Sequence, residues 1–355
     1  MSTSSFDHPY LSGLFGDEAF AALFTAKADI DAMLAFEAAL AKAQAEHGVI
    51  EHGDAEAIEA GLATFTPDLD ALKTATARDG VVIPDLVKQM RAAVGGAGQA
   101  KLHFGATSQD VIDTSLVLRL KAAAQLLEKR LAALATAFAR LDTAFGKKPL
   151  MGHTRMQAAI PITVSDRIAA WAGPLARSHD RLRLLLADGF AVQFGGAAGT
   201  LEKLGDKGPA VRASLAHILG LADAPQWHSQ RDRIVAFADL LSLISGALGK
   251  FGQDVALLAE MGKEIQLTGG GGSSAMPHKQ NPVGAETLVT IARFNAVQVS
   301  GLHQSLVHEQ ERSGAAWALE WLLLPQLVVA TGAATRTGLQ LIEAIARLGP
   351  ASEQL

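Results

Sequence analysis

The stretch Arg231–Gln266, RDRIVAFADLLSLISGALGKFGQDVALLAEMGKEIQ, carries Ile234, Phe237, Leu241, Ile244, Leu248, Phe251, Val255, Leu258 and Met261 at steps of three and four. An α-helix turns once every 3.6 residues, so these steps line a single face with apolar side chains. A helix of this length with an unbroken stripe buries it in a bundle. Gly246 and Gly249 lie within the stretch. They mark a close approach of another helix backbone, expected here from a second subunit.

Two more long amphipathic runs precede it, Ser108–Phe145 and Ala158–Leu186. Two follow, Pro282–Glu311 and Ala315–Leu348, the last expected to bend or break near Pro325 because proline removes a helix donor. Closer to the N-terminus, Ile30, Met33, Leu34, Phe36, Ala39, Leu40 and Ala43 share a helical face, and shorter helices are expected over Asp54–Phe65 and Asp85–Ala93. The pair Gly95–Gly96 reads as a boundary. The expected organisation is an N-terminal helical domain over 1–95, a long-helix bundle over 96–345 and a short tail over 346–355. No strand-length alternating segment competes, so the fold class is all-α.

Composition narrows the function. Of 355 residues 49% are hydrophobic but only 5% aromatic, which favours closely packed helices over a sandwich or barrel. A net charge of -5 argues against a nucleic-acid or anionic-membrane partner. The longest apolar run, Trp321–Thr335, is short for a membrane span and contains Pro325. The first residues lack the basic and apolar regions of a signal peptide, and the absence of cysteine suits a cytoplasmic protein. There is no Cys, no His-x-x-x-His pair and no convincing dinucleotide fingerprint at Gly195–Thr200, so neither metal nor organic cofactor is expected.

Chemistry gathers in five segments. In Thr268–Glu286, four glycines (Gly269–Gly272) precede Ser273, Ser274, a Met276–Pro277 step and the donors His278, Lys279, Gln280 and Asn281. Asn281–Pro282 reads as a helix start, with Asn at the N-cap. The segment suits a donor-rich lid over an anionic small molecule, although four glycines alone fit a linker equally well. In His103–Thr114, Thr107 and Asp110 fit a helix cap, and the hydroxyls of Thr107 and Ser108 at a helix N-terminus also suit a carboxylate. The others are Met151–Thr163, with His153, Arg155 and Gln157; Gln226–Asp232, with His228 and Gln230; and His308–Trp321, with Arg312. Arg231 and Asp232 read as a structural ion pair, and Arg312 as a bidentate carboxylate ligand.

The run Gly272–Pro282 resembles the signature loop of the fumarase/aspartase superfamily, whose members cleave C–N or C–O bonds beta to a carboxylate. The Thr107–Ser108 pair, Gln157 and Gln230–Arg231–Asp232 resemble further superfamily signatures. Trp227–His228 and the Glu311–Arg312 segment are similar to the branch that cyclises muconates. This resemblance implies a long-helix bundle with a truncated C-terminal domain. It also implies a homotetramer whose active sites each draw on three chains, and a small tricarboxylate substrate. It gives Ser273 the proton-transfer role, with Ser274, His153 and His228 as competitors. Thr107, Ser108, Gln157, His228, Gln230, Lys279, Asn281 and Arg312 fall to substrate binding. One departure is informative. Most members carry Gly-Arg-Thr-His where this sequence has Gly152-His153-Thr154-Arg155, so Arg155 stands at the position of the usual proton-handling histidine. A carboxylate entering or leaving is stable as an anion and needs no general acid. That makes cyclisation the favoured expectation, ahead of β-elimination of the adenylosuccinate lyase type and of a non-catalytic helical oligomer.

Overall fold

The computed structural model describes residues 4–272, 274–276 and 279–351. The fold is mostly helical. Two short helices, α1 (Ser12–Phe15) and α2 (Glu18–Ala21), lead into α3 (Ala26–Glu46), α4 (His52–Ala63), α5 (Leu69–Asp79) and α6 (Ile83–Val94). The long helix α7 (Ser108–Phe145) opens the bundle, and α8 (Val164–Leu184) returns alongside it. After α9 (Gly208–Leu219), the bundle is completed by α10 (Asp232–Met261), α11 (Val283–Gln304) and α12 (Gly314–Glu343).

Helix α7 shows why the bundle forms. Leu116, Leu120, Leu127, Leu131, Leu134, Phe138 and Leu141 are all buried along its length. Each such side chain contributes about 1.5–3 kcal/mol on leaving water. Phe138 meets Phe251 of α10 edge-on at 5.2 Å, and Phe251 meets Trp171 of α8 at 5.0 Å, so one aromatic cluster ties three helices. The α10 stripe is buried from Ile234 to Leu258, but Met261 is exposed, one residue before Gly262 ends the helix in a left-handed cap. The core runs without interruption from α3 across the Gly95–Gly96 step into α7. Asn295 on α11 donates to Ser245 of α10 and Thr331 of α12, both at 3.0 Å, a buried polar contact that fixes the register of three helices.

Several expectations are corrected. The run from Ala158 is not helical throughout. Residues Gln157–Thr163 form strand β2, antiparallel to β1 (Pro149–Thr154), and α8 begins only at Val164. A second small sheet pairs β3 (Ile265–Leu267) with β4 (Ile345–Leu348), so the bundle helices on either side end earlier than their apolar patterns suggested. Strand β4 spans residues 345 and 346, the expected junction of bundle and tail. Helix α5 was not anticipated, and Pro325 is carried inside an unbroken α12. Gly249 does permit a close approach, but by α11 of the same chain: a Cβ there would stand 2.4 Å from that of Ala292. Gly246 faces open space. By length and composition α10 and α12 could cross a membrane, yet 67% and 61% of their apolar windows are buried inside the protein, as in core helices.

Candidate active site

The expected site residues fall into two groups at opposite ends of the bundle. One surrounds the N-terminus of α7. The chain enters there through two left-handed turns, His103 at φ 63° and Gly105 at φ 75°. Asp110 then closes a capping box by accepting the Thr107 N–H at 3.0 Å. The capping expectation holds, but Asp110 does more. Its buried carboxylate also accepts from Gly195 N (2.9 Å), Gly196 N (3.0 Å) and His228 Nε2 (2.8 Å). The Gly195–Thr200 segment thus bends its backbone onto an aspartate. Gly195 is required, since a Cβ would stand 2.7 Å from that of Gln226 and 2.8 Å from the His228 ring. Because an ionised carboxylate only accepts, the His228 proton facing it sits on Nε2.

Behind this layer lies a buried ionic one. Arg231 forks onto Asp113 (Nη1–Oδ2 2.6 Å, Nη2–Oδ1 3.1 Å) and onto Glu320 (Nε–Oε1 2.9 Å, Nη2–Oε2 2.6 Å). The structural ion pair expected of Arg231 exists, with these partners in place of Asp232. Burial works against the guanidinium charge, but Asp113 and Glu320 more than offset it and hold Arg231 protonated. Burial likewise pushes the Glu320 carboxyl up, with Arg231 opposing. Trp317 Nε1 donates to Asp113 at 2.9 Å, and Trp227 lies under the guanidinium at 4.7 Å.

Arg312 reaches the first layer from the loop before α12, giving Nε to Gln109 Oε1 at 2.8 Å and Nη2 to the Ala197 carbonyl at 3.3 Å. Gln109, fully buried, passes the contact on by donating to the His228 carbonyl at 2.9 Å. Thr107 and Ser108 are half-buried beside it, while Gln230 is exposed and bonds Gln226 O at 3.3 Å. His308 offers Nδ1 to the Ser313 N–H at 3.4 Å, and its buried Nε2 has no partner among the described residues. Burial first, then the Arg231 charge, lower its pKa.

The second group lies past the other end of α7, whose 38 residues extend roughly 57 Å at 1.5 Å each. There His153, Arg155 and Gln157 sit exposed on the β1–β2 hairpin. Thr154 pairs with Gln157, so Arg155 and Met156 form the two-residue turn, both at positive φ (48° and 66°). That is the type I′ pattern, which normally calls for Asn or Gly. Side chains larger than these are strained there, and such strain collects at functional sites. The glycine-rich loop is at this same end. The Met151 N–H donates to Glu264 Oε1 at 2.9 Å, tying the hairpin to the segment that enters β3. Gly271 and Asn281 exchange two backbone hydrogen bonds of 2.9 Å, closing the loop at its neck. Asn281 is therefore a strand-like partner and not the expected N-cap; Pro282 holds that position, with no side-chain cap. Ser274 and Lys279 are exposed, and Ser273 lies outside the described residues.

A model of the lyase family matches residues 9–301. The 3-carboxy-cis,cis-muconate cycloisomerase of Pseudomonas aeruginosa is 41% identical over 91% of this chain and 72% of its own length. The chain belongs to the lyase family of the fumarase/aspartase superfamily. The crystal structure of the 3-carboxy-cis,cis-muconate lactonizing enzyme from Pseudomonas putida superimposes with a TM-score of 0.89 at 37% identity, covering 95% of this chain and 77% of that one. Other chemistries occur in the family. The N-acetyl-S-(2-succino)cysteine lyase of Enterococcus italicus is 32% identical over 92% of this chain and 73% of its own.

At this end of the bundle, sequence reasoning passed over Gln109 and Asp113, quoted Glu320 without a role, and credited Asp110 only as a cap. Gln109 had a signal, since it follows Thr107–Ser108 directly. Asp113 and Glu320 had none, because their meeting with Arg231 depends on three helices converging.

Proposed function

We propose that this chain is a cycloisomerase that converts 3-carboxy-cis,cis-muconate to 4-carboxymuconolactone in protocatechuate breakdown. One substrate carboxylate oxygen forms a C–O bond to an alkene carbon. The π electron pair moves to the adjacent carbon, which takes one proton from the protein. The observation that carries this reading is the side chain at the hairpin tip: Arg155, a fixed cation, stands where a β-eliminating lyase needs a histidine to protonate its leaving group. An arginine suits a carboxylate that enters as an anion. Thr107, Ser108, Lys279, Asn281 and Arg312 supply further carboxylate contacts, with Gln157, His228 and Gln230 beside them. Ser273 delivers the proton, made competent by backbone N–H groups after it and by the charge of Lys279.

The separation of the two groups supports a shared site in a homotetramer, each site taking Thr107–Ser108, the hairpin and the loop from different chains. Strand β2 is exposed along nearly its whole length, with Ile160 at 67%, and Met156 in the turn before it is 74% exposed. A lone exposed hairpin is only marginally stable in water, so a neighbouring chain is its natural cover. We assign the protein to the cytoplasm.

The deciding assay follows the ultraviolet loss of 3-carboxy-cis,cis-muconate beside adenylosuccinate and argininosuccinate. The muconate alone should be consumed; cleavage of adenylosuccinate in its place overturns the reading. The reaction should need no metal, so exhaustive chelation followed by desalting leaves the rate unchanged. Loss of activity restored by one divalent ion would refute that.

A further inference from the structure

Two arginines at the α7 end are held in opposite ways. Arg231 is buried between the carboxylates of Asp113 and Glu320. Arg312 is held by two neutral oxygens, Gln109 Oε1 and the Ala197 carbonyl, and has no carboxylate partner among the described residues. The nearby acids are engaged elsewhere. Asp110 is occupied by four donors, and Glu309 is drawn to Ser313.

Gln109 makes this arrangement work. Its amide donates to the His228 carbonyl and accepts from Arg312, and an uncharged amide does both at once. Glutamate has the same shape and would grip Arg312 harder. It would also cancel the charge of Arg312 and lose the bond to His228. We propose that Gln109 is a positioning residue whose neutrality is its function: it orients the Arg312 guanidinium while leaving the positive charge available to a substrate carboxylate. The carboxylate's identity rests on the cyclisation reading above; the state of Arg312 does not.

The test compares Gln109→Glu with Gln109→Met in the full chain. Glutamate should raise KM for 3-carboxy-cis,cis-muconate by about tenfold or more, the scale of one charge-assisted hydrogen bond. Methionine, which removes both hydrogen bonds but adds no charge, should raise it only a few-fold. A purely structural role predicts the reverse order, since Glu keeps the Arg312 contact and Met does not. A second readout needs no substrate. Phenylglyoxal attacks the deprotonated fraction of an arginine, which a carboxylate partner depletes. Peptide mass spectrometry should find Arg312 modified readily in wild type and Gln109→Met, slowly in Gln109→Glu, and Arg231 hardly at all. Equal Arg312 rates in all three proteins overturn the proposal, as does a larger KM effect from Met. If the glutamate variant does not fold, wild type decides: Arg312 reacting as slowly as Arg231 overturns the proposal. Wild type that shows the expected modification pattern but does not turn over the muconate counts against the cyclisation reading and supports the one for Arg312.

Discussion

At the α7 N-terminus Asp110, Asp113, His228, Arg231 and Glu320 are each at most 1% exposed and bonded across four chain segments, whereas His153, Arg155, Gln157 and Lys279 lie exposed on a hairpin and a loop at the far end. The first region holds its geometry by itself, because almost every polar group has found a partner in this chain. The second has its backbone set, by a strained turn and a two-bond neck, but its side chains reach outward. On the proposed reading, one chain carries pieces of different sites: the carboxylate-binding piece at the α7 N-terminus would be set on folding, and the hairpin and loop pieces would be completed by other chains on assembly.

The sharpest way to break this view is at Ser273. Ser273→Ala should lower kcat by roughly a thousandfold or more, the scale of losing a proton-transfer group, while Ser274→Ala costs much less. Near-normal turnover in Ser273→Ala, with His153→Ala or His228→Ala inactive, would move the role to that histidine. Arg312→Ala disables the other half. Refolding Ser273→Ala and Arg312→Ala chains together should restore activity in roughly a quarter of the sites, the random share that takes both halves from unmutated segments of different chains. No restoration, or an active monomer in sedimentation, means that one chain completes its own site.

Stability offers a second contrast. Arg231→Met leaves Asp113 and Glu320 facing each other in the core, and removing one partner from such a buried group costs about 3–5 kcal/mol. Arg155→Met at the exposed hairpin tip should stay within about 0.5 kcal/mol. Urea denaturation at fixed protein concentration measures both. A small loss from Arg231→Met would show that the ionic layer is dispensable for folding.

How far each end was legible in the sequence follows from the same contrast. The long helices were readable because burial on one face imposes a 3.6 period, and Ser108–Phe145 matches α7 at both ends. The hairpin was not. Its β2 strand, QAAIPIT, shows no alternation because neither face is buried in this chain, and its Arg155–Met156 turn lacks the Asn or Gly that marks such turns. Thr107, Ser108 and Arg312 could be singled out as candidates because hydroxyls at a helix start and a lone arginine are chemical signals within a short segment. The contacts of Asp113 and Glu320 and the second role of Asp110 were missed because their partners lie 80 or more residues away in the chain.

The smallest expected effect concerns His103, which sits in the left-handed turn ahead of Thr107. Its Nδ1 lies 2.6 Å from Oε1 of Glu37, whose side chain is fully buried. Burial alone would lower the His103 pKa, but the charge and hydrogen bond of Glu37 more than offset it, so the folded-state pKa is raised above 6.5. A raised pKa means the folded protein holds this proton more tightly than the unfolded chain. The stabilisation is therefore fully present below the unfolded value and fades as pH climbs through the folded one. The urea midpoint should fall as pH rises above the ordinary histidine value of 6.5, and Glu37→Gln should flatten that part of the decline by removing the charge that raises the pKa. Since the pair sets the turn that delivers Thr107 and Ser108, KM should rise over the same pH range in wild type and lose that dependence in Glu37→Gln. An unchanged pH slope in Glu37→Gln would mean that the His103–Glu37 contact does not hold this end of the bundle together.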